Sequence, residues 1–290
     1  MLFIVVIVLA FLCLPGPASS GTWSFIPVDD PTPLKPNELR EFLELKYLQY
    51  HQQGFIASDP VSIPHRYTKK QDIEISAFLV SVISWGQRPT IIRNSLKLME
   101  LMDDSPYEFI LRFQEKDLLP FSKFVHRTFN GIDCCYFLKA LQHHYREFNT
   151  LEKMFFDDLN VLITPIDVKI QYFRNHFFSL PHLKRTEKHL SDPSSNAACK
   201  RINMFLRWMV RTDYGGVDFG LWKEINPSML MLPLDVHSGR VARSLGLLKR
   251  KQDDWKAVEE VTASLRKFDP LDPVKYDYAL FGLGVFEKFK

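Results

Sequence analysis

The sequence predicts an all-α fold: one helical domain from residue 37 to residue 290, preceded by an apolar segment over 1–20 and a Pro-rich linker over 21–36. Two patterns predict it. Apolar residues recur at three- and four-residue spacing along most of the chain, as a helix with one buried face requires. Apolar–polar alternation, the mark of a half-buried strand, rarely persists over four positions. The composition, 46% hydrophobic with 24 Phe, 10 Tyr and 5 Trp in 290 residues, is enough for a sizeable core. No fixed-period repeat points to a solenoid.

Asn37 is the expected cap of a first helix carrying Leu39, Phe42, Leu43 and Tyr50, with Glu38 and Glu41 in its first turn and Gly54 closing it. A two-proline loop, Asp59 to Arg66, follows. The next helix starts near Lys69 or Lys70, and Ile73, Ile75, Ala77, Phe78, Leu79, Val82 and Ile83 make it apolar almost all round, as for a central buried helix. It ends at Trp85-Gly86-Gln87. Pro89 suits the first turn of a third helix, Ser105-Pro106 starts a short fourth, and Phe121 to Gly131 is turn-forming. Further helices are expected over 133–148, 151–162, 166–178 and 201–211, the last burying Met204, Phe205, Trp208 and Met209.

The first twenty residues hold no charge and include an apolar run from Leu2 to Leu14. That has the length of a signal peptide but lacks its basic start. A cytoplasmic protein with a misassigned start is expected; export or envelope anchoring is the alternative. Cys134, Cys135 and Cys199 make neither a disulfide framework nor an iron–sulfur pattern, and the nine His form no His-x-x-x-His or similar spacing. Neither metal nor cofactor is therefore expected. Net charge is +3, but Lys184 to Lys251 contains thirteen Lys or Arg against six acids, leaving the rest of the chain acidic. A basic segment of that kind suits a polyanionic partner, or is simply a solvated face.

The sharpest local feature is Leu232-Pro233-Leu234-Asp235-Val236-His237-Ser238-Gly239-Arg240-Val241-Ala242-Arg243-Ser244-Leu245-Gly246. Asp235 stands where a helix N-cap belongs, with Gly246 just past the helix end. Capping alone accounts for an Asp there.

This stretch resembles the Pro-x-Asp-[Thr/Val]-His-x-x-Arg-Val-x-x-Arg segment of the helix-hairpin-helix DNA glycosylases, a superfamily that includes endonuclease III. The resemblance implies that Asp235 is a catalytic carboxylate, stabilising positive charge on the sugar as a base departs. Ile83-Ser84-Trp85-Gly86-Gln87 resembles the superfamily's early Leu-Ser-x-Gln helix end, making Gln87, with Arg88 beside it, a DNA contact that fills the gap left by a flipped base. Tyr276 to Phe286 resembles the helix that follows the catalytic Asp in the adenine glycosylases.

The superfamily's hairpin, Leu-Pro-Gly-Val-Gly, holds a DNA phosphate on backbone N–H groups. The corresponding stretch here, Ser191 to Arg201, has no glycine, so Ser194, Ser195 and Asn196 would have to supply the donors. Lys200 lies about where bifunctional members carry a nucleophilic Lys. It precedes Asp235 by 35 residues, roughly twice the superfamily's spacing, the excess being Thr212 to Met231. Arg201, His237 and Arg240 complete the DNA-binding candidates.

Four stretches, Asp59 to Arg66, Phe124 to Gly131, Met204 to Arg211 and Pro233 to Arg240, are together similar to an uncharacterised bacterial family, domain of unknown function 2400, a likeness running from about Asn37 to Lys290. That family implies no activity, and His65, Arg66, His126 and Arg127 are open between phosphate contact and bonding to backbone carbonyls. The expectation is a monomeric, DNA-binding glycosylase-like enzyme. Its rivals are a non-catalytic nucleic-acid-binding module and a structural or interaction protein at the cell envelope.

Overall fold

The computed structural model describes residues 34–156, 163–212 and 214–289. The signal-like segment and nearly all of the Pro-rich linker lie outside them, as does the second half of the helix expected over 151–162. The described residues form twelve α-helices and several short 3₁₀ turns with no strand, only three isolated bridges. None of these helices is long and apolar enough to cross a membrane.

In chain order the helices are α1 (Pro36–Tyr50), α2 (Gln53–Ser58), α3 (Lys70–Ile83), α4 (Arg88–Glu100), α5 (Pro106–Arg112) and α6 (Gly131–Phe148). There follow α7 (Leu151–Phe156), α8 (Ile166–Phe177), α9 (Lys200–Val210), α10 (Val236–Ser244), α11 (Trp255–Arg266) and α12 (Asp277–Val285). Two early expectations are corrected. Helix α1 is entered at Pro36, whose fixed φ suits the first turn, so Lys35 rather than Asn37 is the cap; Glu38 accepts the Lys35 N–H at 2.9 Å. Gly54 lies inside α2 instead of closing α1, which ends at Tyr50.

Helix α3 is the axle. Every residue from Ile73 to Ile83 is buried. Phe78 meets Phe137 of α6, Phe173 and Phe177 of α8 and Phe205 of α9 at ring-centroid distances of 5.3–6.1 Å, mostly edge to face. The polar residues of α3 are satisfied: Ser76, Ser81 and Ser84 donate back to carbonyls one turn earlier. The buried Glu74 carboxylate accepts from Tyr145 Oη at 2.9 Å, Thr150 Oγ1 at 2.7 Å, Trp222 Nε1 at 2.7 Å and Leu151 N at 3.2 Å. Burial pushes its carboxyl pKa up, against the pull of those bonds.

Helix α12 packs most extensively on α10 and α1, and its glycines set the approach. A Cβ at Gly284 would stand 3.1 Å from His237 Cβ, and one at Gly282 would overlap the Tyr50 ring. Gly282→Ala is therefore expected to force α1 and α12 apart, costing about 1–3 kcal/mol of stability by overpacking. Thermal melting of the variant checks this; an unchanged midpoint would show that Tyr50 swings aside freely.

Candidate active site

The N-termini of α9 and α10 meet. Asp235 caps α10, and its two carboxylate oxygens divide the work. Oδ1 accepts the backbone N–H groups of His237 at 2.8 Å and Ser238 at 3.0 Å, while Asp235 N–H donates to Ser238 Oγ at 3.0 Å, a closed capping box. Oδ2 accepts Lys200 Nζ at 2.7 Å. Cap and partner to Lys200 are thus compatible roles for one side chain. Lys200 is 33% exposed and Asp235 17%, so the pair is neither sealed nor on open surface. Burial raises the Asp235 pKa, but the Lys200 charge and the bonds from Lys200 and Ser238 outweigh it and hold the carboxyl below its usual range.

A second layer stands beneath the pair. Arg207 lies two turns along α9 on the face that carries Lys200. Its Nη1 meets Asp277, the first residue of α12, and its Nε lies 3.3 Å from Asp218 Oδ1. Asp218 Oδ2 accepts Arg211 Nη1 at 2.9 Å, and Arg211 also reaches Asp272 Oδ2 at 2.8 Å and Tyr47 Oη at 2.7 Å. Burial pushes the Asp277 carboxyl up to about 6; Arg207 opposes that shift and the Asp235 charge adds to it. Burial likewise raises the pKa of Asp59, against the Val61 N–H bond and the charges of Arg88, Arg207 and Lys200, which pull it down. The segment Thr212 to Met231, which lengthens the spacing between Lys200 and Asp235, builds this layer. It folds back on the end of α9, where Trp208 O accepts from Phe219 N at 2.8 Å and Met209 O from Trp222 N at 2.9 Å, and so brings Asp218 to the two arginines.

Of the residues expected in a site, the structure brings Lys200 and Asp235 into contact, while Arg88 has other partners. Arg88 Nη2 lies 3.9 Å from Asp59 Oδ2, and its guanidinium stands over the Phe281 ring. His237 and Arg240 are exposed on α10, Arg240 donating to Gly284 O at 3.2 Å. Gln87 is exposed at the start of α4. Arg201 is committed elsewhere, its guanidinium donating to the Val82 and Lys188 carbonyls, and burial brings its pKa down to about 10.

The donors of Ser194, Ser195 and Asn196 are also engaged. Asp192 Oδ1 accepts Ser194 N and Oγ, each at 2.8 Å, Asp192 O accepts Ser195 Oγ at 2.8 Å, and Asn196 Nδ2 donates to Asp254 Oδ2 at 2.9 Å. The turn thus spends these donors internally, on Asp192 and Asp254. Asn196 and Cys199 both take the left-handed conformation that glycine favours, so the turn has a glycine-like backbone but carries side chains. Burial pushes the Cys199 thiol up to about 12, which removes it as a nucleophile.

The basic excess of Lys184–Lys251 is largely neutralised by acids from outside it. Asp133, Asp277, Asp272, Asp253 and Asp254 pair with Arg185, Arg207, Arg211, Arg243 and Arg250 in turn. Charge counted along the chain overstates the field at the surface. The two His-Arg pairs have structural partners: His65 Nε2 lies 2.9 Å from Val217 O, and Arg66 Nη2 3.1 Å from Asp104 Oδ1. His126 bridges Asn94 and the Trp85 carbonyl, while Arg127, at positive φ, stacks on Trp85.

Sequence inspection missed Arg207, Asp218 and Asp277 as members of the site. The one available signal was the i, i+7 spacing of Lys200 and Arg207, which puts two cations on one helix face. Comparison with curated proteins and with solved structures finds no match. A family model described as Protein of unknown function (DUF2400) matches residues 59–286, and the chain belongs to that family.

Proposed function

We propose that this chain binds DNA and excises a base from it, with a fold of the helix-hairpin-helix glycosylase type and Lys200 and Asp235 as the reacting pair. One observation carries the reading: a Lys amine and an ionised carboxylate 35 residues apart are held at 2.7 Å where two helices begin, partly open to solvent. In this reading the hairpin is the turn before α9, with Asn196 and Cys199 in the conformation of the missing glycines.

The chemistry follows from the pair. As the bond from the sugar C1′ to the base lengthens, positive charge gathers on the sugar, and the Asp235 carboxylate stabilises it without having to reorient. Lys200, once deprotonated, attacks C1′; the bond from C1′ to the base breaks, and the departing base takes its electrons and a proton from the new ammonium; the nitrogen lone pair then expels O4′, which takes up a proton, leaving the opened sugar as a Schiff base. In this reading Gln87, Arg88, His237 and Arg240 are the groups that meet the duplex. The paired arginines leave binding less dependent on a broad electrostatic field than the charge count implied.

The test is borohydride trapping on a panel of duplexes, each carrying one damaged or mismatched base. Wild-type protein is expected to form a covalent DNA adduct with at least one of them, and Lys200→Ala to form none. Release without an adduct would assign the attack to water beside Asp235. Neither release nor adduct on any duplex would overturn the enzyme reading and leave a binding module, or, if DNA is not bound, an interaction protein.

A further inference from the structure

The last turns of α6 carry His143, His144 and Glu147. Positions 143 and 147 are one helical turn apart on a shared face, and 144 adjoins them. One donor atom from each side chain, an imidazole nitrogen or a carboxylate oxygen, lies within 4.8 Å of the other two. Inspection for His-x-x-x-His overlooks this group because its fourth position is Glu.

His144 is the unusual member. It is 2% exposed, its ring stacks with Phe148 and Phe177, and neither ring nitrogen has a hydrogen-bond partner. A buried imidazole of this kind leaves the desolvation of its nitrogens uncompensated by the protein. No ion pair or hydrogen bond holds His143 or Glu147 among the described residues. The neighbouring cations are occupied, Lys139 by Glu115 at 2.6 Å and Arg146 by the Leu111 carbonyl at 3.3 Å.

We infer that His143, His144 and Glu147 form a binding site for a divalent cation of the zinc type, with water as the fourth ligand. Two borderline imidazole nitrogens with one hard carboxylate oxygen make a nitrogen-rich set that suits Zn²⁺ and its neighbours in the first transition row, not Mg²⁺ or Ca²⁺, which take oxygen shells. Bonds of about 2.0–2.1 Å need donors closer together than they stand here. The exposed His143 and Glu147 close that gap by rotating, while the fixed His144 sets the position.

The full chain, freed of metal by a chelator, is titrated with Zn²⁺ by calorimetry and, in parallel, with Co²⁺ by absorption spectroscopy. One equivalent is expected to bind, and His143→Ala and Glu147→Gln, both at exposed positions that leave the core intact, are each expected to weaken binding at least tenfold. Absence of binding, equal binding by both variants, or a thiolate-to-cobalt charge-transfer band pointing to the cysteines would each overturn the assignment. The site is independent of the Lys200–Asp235 pair, so base release is not its readout.

Discussion

Asp235→Asn is expected to reduce base release by about a hundredfold or more while the fold and DNA binding stay nearly intact. The division of labour between the two oxygens makes the substitution clean. An amide oxygen in the place of Oδ1 still accepts from His237 and Ser238, so α10 keeps its cap. What is lost is the charge of Oδ2, which faces Lys200. Single-turnover release, duplex affinity and thermal melting measured on the same preparation separate the possibilities. A loss of release below about tenfold, or one that merely follows a fall in melting temperature, would reduce Asp235 to a cap.

The largest effect on stability is expected from Asp218→Ala. Asp218 bridges Arg207 and Arg211, whose side chains are only 6% and 2% exposed, and its removal leaves two buried guanidinium groups sharing Asp277 and Asp272. Breaking a buried ion pair from one side costs about 3–5 kcal/mol, which for a domain of this size lowers the melting temperature by about 10 °C. A shift under about 2 °C would show that Asp272, Asp277 and Tyr47 suffice. Asp218 touches neither Lys200 nor Asp235, so any loss of DNA chemistry in this variant should track its loss of folded protein.

Legibility in the sequence followed the range of the interaction. Helix α3 was readable because its apolar residues succeed one another without a polar face, and the cap at Asp235 because a cap is settled within three residues, whereas the Asn130 cap of α6 was read only as part of a turn. The pairing of Lys200 with Asp235 was suspected only through a family resemblance, since no local pattern joins residues 35 apart. The ion network beneath them was illegible. Its acids come from the loop before α10, the turn before α12 and the first residue of α12, and nothing in an isolated Asp shows that it will be buried. Charge counting failed for the same reason: the arginines of the basic segment find their partners beyond its ends.

Glu74 ties the order of assembly to the length of the chain. The groups that satisfy it come from the end of α6, the start of α7 and, 148 residues downstream of it, Trp222. Until Trp222 has left the ribosome, α3 cannot bury its carboxylate with its full set of donors, and the central helix lacks the partner that makes its interior position tolerable. A chain ending at residue 200 is therefore expected to be less stable than the described domain, since Glu74 keeps only the donors of Tyr145, Thr150 and Leu151. The segment that delivers the Trp222 donor is the one that also delivers Asp218 to the arginines. Core and candidate site thus draw on one segment, the stretch between α9 and α10 that carries both Asp218 and Trp222.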